Sequence, residues 1–278
     1  IGYPVVIVVP GMCLTEMWYN ASSTDVPTVV VGDGDYADSI DVARRVAATL
    51  GFPFEGGVKN IAKRDGLGLV LLEAVSALGR LPDHYVQAVG SGTGAIGVWE
   101  MAERFLADGR FGSRLPVLHL AQNLPFAPMA KAWERGERRL EPGDLRPELI
   151  PEITTRVLST RYPAYEIAGG VYDALTATEG RMYGVRNKEV YAAMDLFRRT
   201  EGVDIVPAAG VAVAALGQAV QRGALRPHEL VLLNVTGGGE ENLDPAVISR
   251  TLRQIVVSKS STDREIEELL CPVLKKTC

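Results

Sequence analysis

Cysteine and histidine are scarce in this chain, three of each among 278 residues. Cys13, Cys271 and Cys278 lie far apart and form no CxxC pair, which argues against a disulfide scaffold and a thiolate metal site. The expectation is three reduced thiols in a cytoplasmic protein. His84, His119 and His228 are equally scattered, their spacing matches no metal-ligand set, and no metal is expected. Each reads as a structural or surface residue. Excess positive charge is missing too: 29 Lys and Arg face 34 Asp and Glu, for a net charge of -5. Nucleic acid is therefore not an expected partner. No apolar run approaches the roughly twenty residues of a membrane span, so no membrane partner is expected either. The apolar start, Ile1 to Pro10, has no basic lead and no small-residue cleavage site, and reads as a strand rather than a signal peptide.

What is present is ordinary globular material, 47% apolar and 23% charged, enough for one large or two modest domains. Strand and helix patterns alternate. "PVVIVVP" (4–10), "TVVVGDG" (28–34), "HYVQAVGSG" (84–92), "PVLHLAQN" (116–123) and "ELVLLNVTGGG" (229–239) read as buried strands, the last of them the final clear strand. "YADSIDVARRVAATLG" (36–51) has helical periodicity with a glycine stop. "LGLVLLEAVSALGR" (67–80) is an apolar helix that should be well buried. Further helices follow over 95–109, 127–136 and 187–202, and 203–223 reads as a short strand and a helix of small residues. Residues 136–165, rich in charge and proline, read as a long surface excursion. Repeated β-α units with continuous apolar strands predict an α/β fold around a parallel sheet. Ligands gather at the carboxyl ends of such strands. Both glycine turns and "VVVGDG" should share that rim.

The turn in "AVGSGTGAIG" (88–97) is the first sign of chemistry. Gly90, Gly92, Gly94 and Gly97 lie between a strand and a helix. Successive amides there, with the helix dipole behind them, suit a phosphate, and Ser91 and Thr93 add hydroxyl donors. Gly92 to Gly97 also fits GxGxxG. However, the next strand ends in Gln122 and Asn123 instead of the acid that a dinucleotide ribose needs. No GK[ST] follows, so this is not a Walker loop. A single phosphate is the favoured ligand.

"AVGSGTGAIG", "QNLPFAPM", "EGVDIVPAAGVAVAAL" and "NVTGGG", in that order, resemble the threonine synthase branch of the tryptophan synthase beta-type, pyridoxal-phosphate-dependent enzymes. "GGVKNIAKRDGLG", "LPDHYVQAVGSGTGAIGVWE" and "LADGRFG" most resemble the cysteate synthases of methanogenic archaea within it. The resemblance implies a three-layer, parallel-sheet fold type II, incomplete at its N-terminus. It implies a remainder of a smaller domain over 1–57 and a larger cofactor-binding domain over 58–278. The implied cofactor is pyridoxal 5'-phosphate. The implied reaction replaces the phosphate of O-phospho-L-serine by sulfite to give L-cysteate, a step of coenzyme M biosynthesis. The alternatives are threonine synthase or another β/γ-replacement enzyme, and a non-catalytic binding protein on the same fold. A homo-oligomer with small-molecule substrates is expected.

Carried over by motif, Gly90, Ser91, Gly92, Thr93 and Gly94 hold the cofactor phosphate. Thr236 meets the ring nitrogen, where a neutral hydroxyl suits β-replacement. On the substrate side, Lys59, Asn60, Lys63 and Arg64 form a basic loop suited to an anion, or a solvated charge run. Gln122 and Asn123 line the same rim, or cap the next helix. The family's Schiff-base lysine has no counterpart here. Lys131, Lys188, Lys259, Lys275 and Lys276 do not match its motif, so it is expected before Ile1, in a longer enzyme.

Overall fold

The computed structural model describes residues 5–13, 26–239, 241 and 254–274. The first elements are β1 (Ile7–Pro10), β2 (Thr28–Val31), α1 (Tyr36–Leu50), α2 (Ile61–Leu78), β3 (His84–Ala88) and α3 (Thr93–Asp108). There follow β4 (Val117–Asn123), α4 (Pro128–Glu134), α5 (Val171–Ala177), β5 (Arg181–Val185), α6 (Asn187–Glu201) and α7 (Pro207–Gln221). The last described elements are β6 (Val231–Leu233), β7 (Gln254–Val257) and α8 (Asp263–Leu274). The chain divides into two compact units: residues 1–55, 159–161 and 242–278 in the first, 56–158 and 162–241 in the second.

In the first unit the strands run parallel in the order β1-β2-β7, with Thr28 opposite Gln254. Val29, Val31, Val42, Val46 and Leu50 pack with Ile266 and Leu270 of α8. Asp35 starts α1 in a capping box with Asp38, and Arg161 donates to both carboxylates at 2.7–3.1 Å. The tail from β7 to α8 joins this unit because β7 pairs with β2. The division expected at residue 57 therefore does not describe where 254–274 packs. "VVVGDG" closes the middle strand of this sheet, whereas the two glycine turns follow strands of the other sheet. Cys13 is buried, and Cys271 is disulfide-bonded, which departs from three reduced thiols.

The second unit holds a parallel sheet in the order β5-β4-β3-β6. One face packs Tyr85, Leu118 and Leu120 beneath α2, α3 and α5; the other packs Val86, Ala121 and Val185 beneath α6 and α7. α7 manages this with small residues, Ala208 to Ala215 being mostly buried. Two expectations fail here. Only Gly68, Leu71 and Val75 of α2 are buried, and Leu69 is 53% exposed. A helix apolar all round has no preferred face, and α3 covers just one side of it. The stretch over 136–165 is no loose surface excursion either. Thr155 and Tyr165 are fully buried, and the carboxylate of Asp144, itself buried, takes Arg135 in a two-point bond at 2.6 and 2.9 Å. Among the described residues, no helix is long and apolar enough to cross a membrane, and no group of three potential metal ligands occurs.

Candidate cofactor site

The carboxyl ends of β3, β4, β5 and β6 share one rim of the second unit's sheet. β3 runs through Val89 into the glycine turn, and Gly92 is the N-cap of α3. Its φ of 85° is left-handed, and a Cβ there would lie 2.1 Å from the Val171 side chain. Only glycine can turn the chain at this point. No side chain caps this 16-residue helix. The Thr93 amide reaches the Ser91 hydroxyl at a long 3.4 Å, and the amides that follow it can donate to an anion, backed by the helix dipole. The Ser91 and Thr93 hydroxyls stand 3.0 Å apart at the same place. These residues fit a phosphate group on the donor chemistry alone. Gly97 serves helix packing instead. A Cβ there would come 2.4 Å from the Arg64 carbonyl oxygen, and Gly68 opposes it on α2. The absence of both side chains lets the two helices approach.

Thr236 lies three residues beyond β6, the strand that pairs with β3. It is exposed, yet its backbone is pinned on both sides. Asn234 N–H donates to the Val86 carbonyl at 2.9 Å, extending the ladder. Beyond it, Gly237 accepts from Val206 N–H, and Gly239 N–H donates to Asp204. The glycine turn and Thr236 thus stand at the ends of neighbouring strands.

The other expected residues have structural partners. Gln122 is 2% exposed, and its Oε1 accepts from the Met129 and Ala130 amides at 2.8 and 3.1 Å. That is the capping alternative. Asn123 accepts from the Thr155 amide and hydroxyl and donates to the Val185 carbonyl. Asn60 caps α2 by accepting from Lys63 N–H at 3.2 Å. Arg64 grips Glu100 with two bonds of 2.9 and 3.0 Å and also donates to the Val58 carbonyl. Lys59 is exposed and Lys63 half-buried. Arg64 thus ties this basic loop to α3.

Sequence reading passed over two polar chains inside the sheet. On one face, Asn234 Nδ2 donates to the Tyr85 hydroxyl at 2.8 Å, and Tyr85 donates to Gln87 Oε1 at 3.1 Å. On the other, Glu229 lies 2.9 Å from His84, His84 3.0 Å from His119, and His119 2.8 Å from the Tyr183 hydroxyl. A carboxylate only accepts, so His84 donates to Glu229 from Nε2. A neutral His84 then accepts from His119, whose Nδ1 takes the Tyr183 proton. Two of the histidines isolated in sequence, His84 and His119, are partners in space. A cavity of about 540 Å³ lies beside His84 and Glu229, with Val117 and Phe111 in its wall. It opens at the amino ends of β3 and β4, opposite the glycine turn.

A parallel sheet with an uncapped helix behind a glycine turn defines the class: an α/β protein of the kind that takes phosphorylated cofactors. The family model described as pyridoxal-phosphate dependent enzyme matches residues 1–237, and the chain belongs to that family. It is 49% identical over 259 residues to a cysteate synthase of Methanoculleus marisnigri, covering 91% of this chain and 60% of that one. It is 44% identical over 275 residues to a cysteate synthase of Methanosarcina barkeri, covering 96% and 65%. The chain spans about 60% of the length of the curated relatives it matches. Among solved structures it is similar to maize serine racemase, with a TM-score of 0.56, 14% identity, and 88% and 74% of the two chains covered. A threonine deaminase from Solanum lycopersicum gives 0.59 at 15% identity, with 85% and 63% covered. The fold is the α/β, parallel-sheet fold type II of pyridoxal-phosphate enzymes.

Proposed function

We propose that the protein converts O-phospho-L-serine and sulfite to L-cysteate and phosphate. The observation that carries this is the 49% identity to a cysteate synthase across 91% of the chain. The reaction breaks the bond from the β-carbon to the phosphate oxygen and forms one from that carbon to sulfur. No net oxidation occurs. When bound, pyridoxal phosphate supplies an electron sink for the charge left on the α-carbon. This chain's residues supply position. The first amides of α3, with Ser91 and Thr93, would hold the cofactor phosphate. Thr236 would meet the ring nitrogen as a neutral partner. Of the basic loop, the exposed Lys59 is the candidate to attract the anionic substrates; Arg64, Gln122 and Asn123 have the structural partners described above. A homo-oligomeric state and a cytoplasmic location belong to the same reading.

The test is phosphate release from O-phosphoserine by the natural protein, with and without sulfite. Sulfite-dependent release with cysteate as product is expected. Turnover of phosphohomoserine instead would overturn the substrate assignment in favour of threonine synthase. Borohydride reduction followed by peptide mapping then finds the lysine that carries the cofactor. Absence of any reduced adduct would overturn the catalytic reading.

A further inference from the structure

Gln87 lies in β3 and Thr236 follows β6, yet one chain of hydrogen bonds joins their surroundings. Asn234, two residues before Thr236, donates to the Tyr85 hydroxyl at 2.8 Å. Tyr85 is fully buried and donates in turn to Gln87 Oε1 at 3.1 Å. Burial pushes the Tyr85 phenol far above its ordinary range, so it stays neutral and can accept and donate at once. With Oε1 occupied, the Gln87 amide is oriented. Its Nε2 lies 2.7 Å from where a Cβ on Gly94 would stand, in the space that glycine leaves at the start of α3. The brace therefore begins beside the residue at the ring-nitrogen end and stops against the turn at the phosphate end.

We infer that Tyr85, acting through Asn234 and Gln87, is a positioning residue that fixes the spacing between Thr236 and the glycine turn. The inference rests on the cofactor site proposed above. A rigid ligand held at both ends gains affinity only when its two contacts are presented at the right separation. A buried phenol between two amides holds that separation better than backbone bonds alone, because each partner would be left unsatisfied by any slip.

Tyr85→Phe in the natural protein tests this, with Tyr183→Phe as control. Both substitutions remove one buried hydroxyl from the same sheet, but Tyr183 bonds His119 on the opposite face. The probe is 4'-deoxypyridoxine 5'-phosphate, which keeps the ring nitrogen and the phosphate but has no aldehyde, so no lysine bond masks the loss. Equilibrium dialysis should show Tyr85→Phe binding it about tenfold more weakly, roughly the worth of one hydrogen-bonded contact, with a shifted ³¹P resonance. Tyr183→Phe should stay within about twofold of wild type, with the resonance unmoved. Gln87→Met keeps the shape of the side chain, tests the end nearer the turn, and should act as Tyr85→Phe does. Equal weakening by Tyr85→Phe and Tyr183→Phe would reduce the brace to general stability and overturn the inference. So would wild-type binding by Tyr85→Phe, or by Gln87→Met if Tyr85→Phe does not fold. Failure of the wild-type protein to bind the probe would overturn the cofactor site itself, and the inference with it.

Discussion

At the scale of single residues, the turn depends on Gly92. Alanine there would need a left-handed backbone and would drive its methyl group into Val171. Gly92→Ala should cost at least about 2 kcal/mol, the sum of backbone strain and overpacking. Urea denaturation measures it, and a midpoint equal to wild type would refute it. Arg135 is the second case. Its guanidinium, above all, holds the buried Asp144 carboxyl below the ordinary 3.8. That contribution is complete above the ordinary carboxylate range and is lost as pH falls through the depressed value. Arg135→Ala would strand a buried carboxylate. The loss should be about 2 kcal/mol at pH 7, below the full cost of a broken buried pair because Arg135 is partly solvated. Thermal melting compared with Arg135→Lys, which keeps the charge but not the two-point grip, should show an intermediate loss.

At the scale of elements, α2 and α3 are held close by two glycines. A Cβ on Gly68 would approach the Gly97 carbonyl oxygen to 2.8 Å, and that atom is backbone. Gly68→Ala should therefore destabilise the second unit by roughly 1–3 kcal/mol, although alanine is the better helix former. A gain in urea midpoint would mean that the helices separate freely. These elements also show what was legible beforehand. The strands ending in the glycine turn, in Gln122-Asn123 and near Thr236 were readable, because each is an apolar run closed by a turn signal. β5 was missed: "RMYGV" begins with a charge and carries a glycine, and its burial comes from neighbours distant in sequence. β7, "QIVV", is too short to stand out and takes its place by pairing with β2. α2 misled through composition, since apolar content says nothing about how many neighbours arrive to cover it. The phosphate turn could be read because its chemistry lies in local backbone. The Asn234–Tyr85–Gln87 brace could not, although three polar residues in the buried strand "HYVQA" were a usable signal.

At the scale of the molecule, the Glu229–His84–His119–Tyr183 chain ties β3, β4 and β5 together and gives the second unit a pH dependence. Burial, foremost, lowers the His119 pKa from 6.5 to about 4, and the charges of His84 and Arg181 act in the same direction. Glu229, paired with His84, and Arg222, over the Tyr183 ring, are the other charged groups facing the chain. Above 6.5 the neutral imidazole contributes its full stability. As pH falls towards about 4 the unfolded chain takes up a proton that the folded one resists, so stability declines; below that value both forms are protonated and the decline ends. The urea midpoint should fall between pH 7 and pH 5, roughly where histidine alone titrates. His119→Gln should flatten that slope, and an unchanged slope would assign it elsewhere. The middle strand of the first unit has a different consequence, one for synthesis. The β2 side of that sheet waits for β7, and Asp33 meets Lys259 across 226 positions of sequence. The second unit's sheet is fully synthesised by Leu233. On a ribosome the later-encoded core can therefore close first, while β1 and β2 wait with an open edge for a strand not yet made. Nascent chains arrested between residues 240 and 254 should expose that edge to chaperones, and release of the tail should end the exposure.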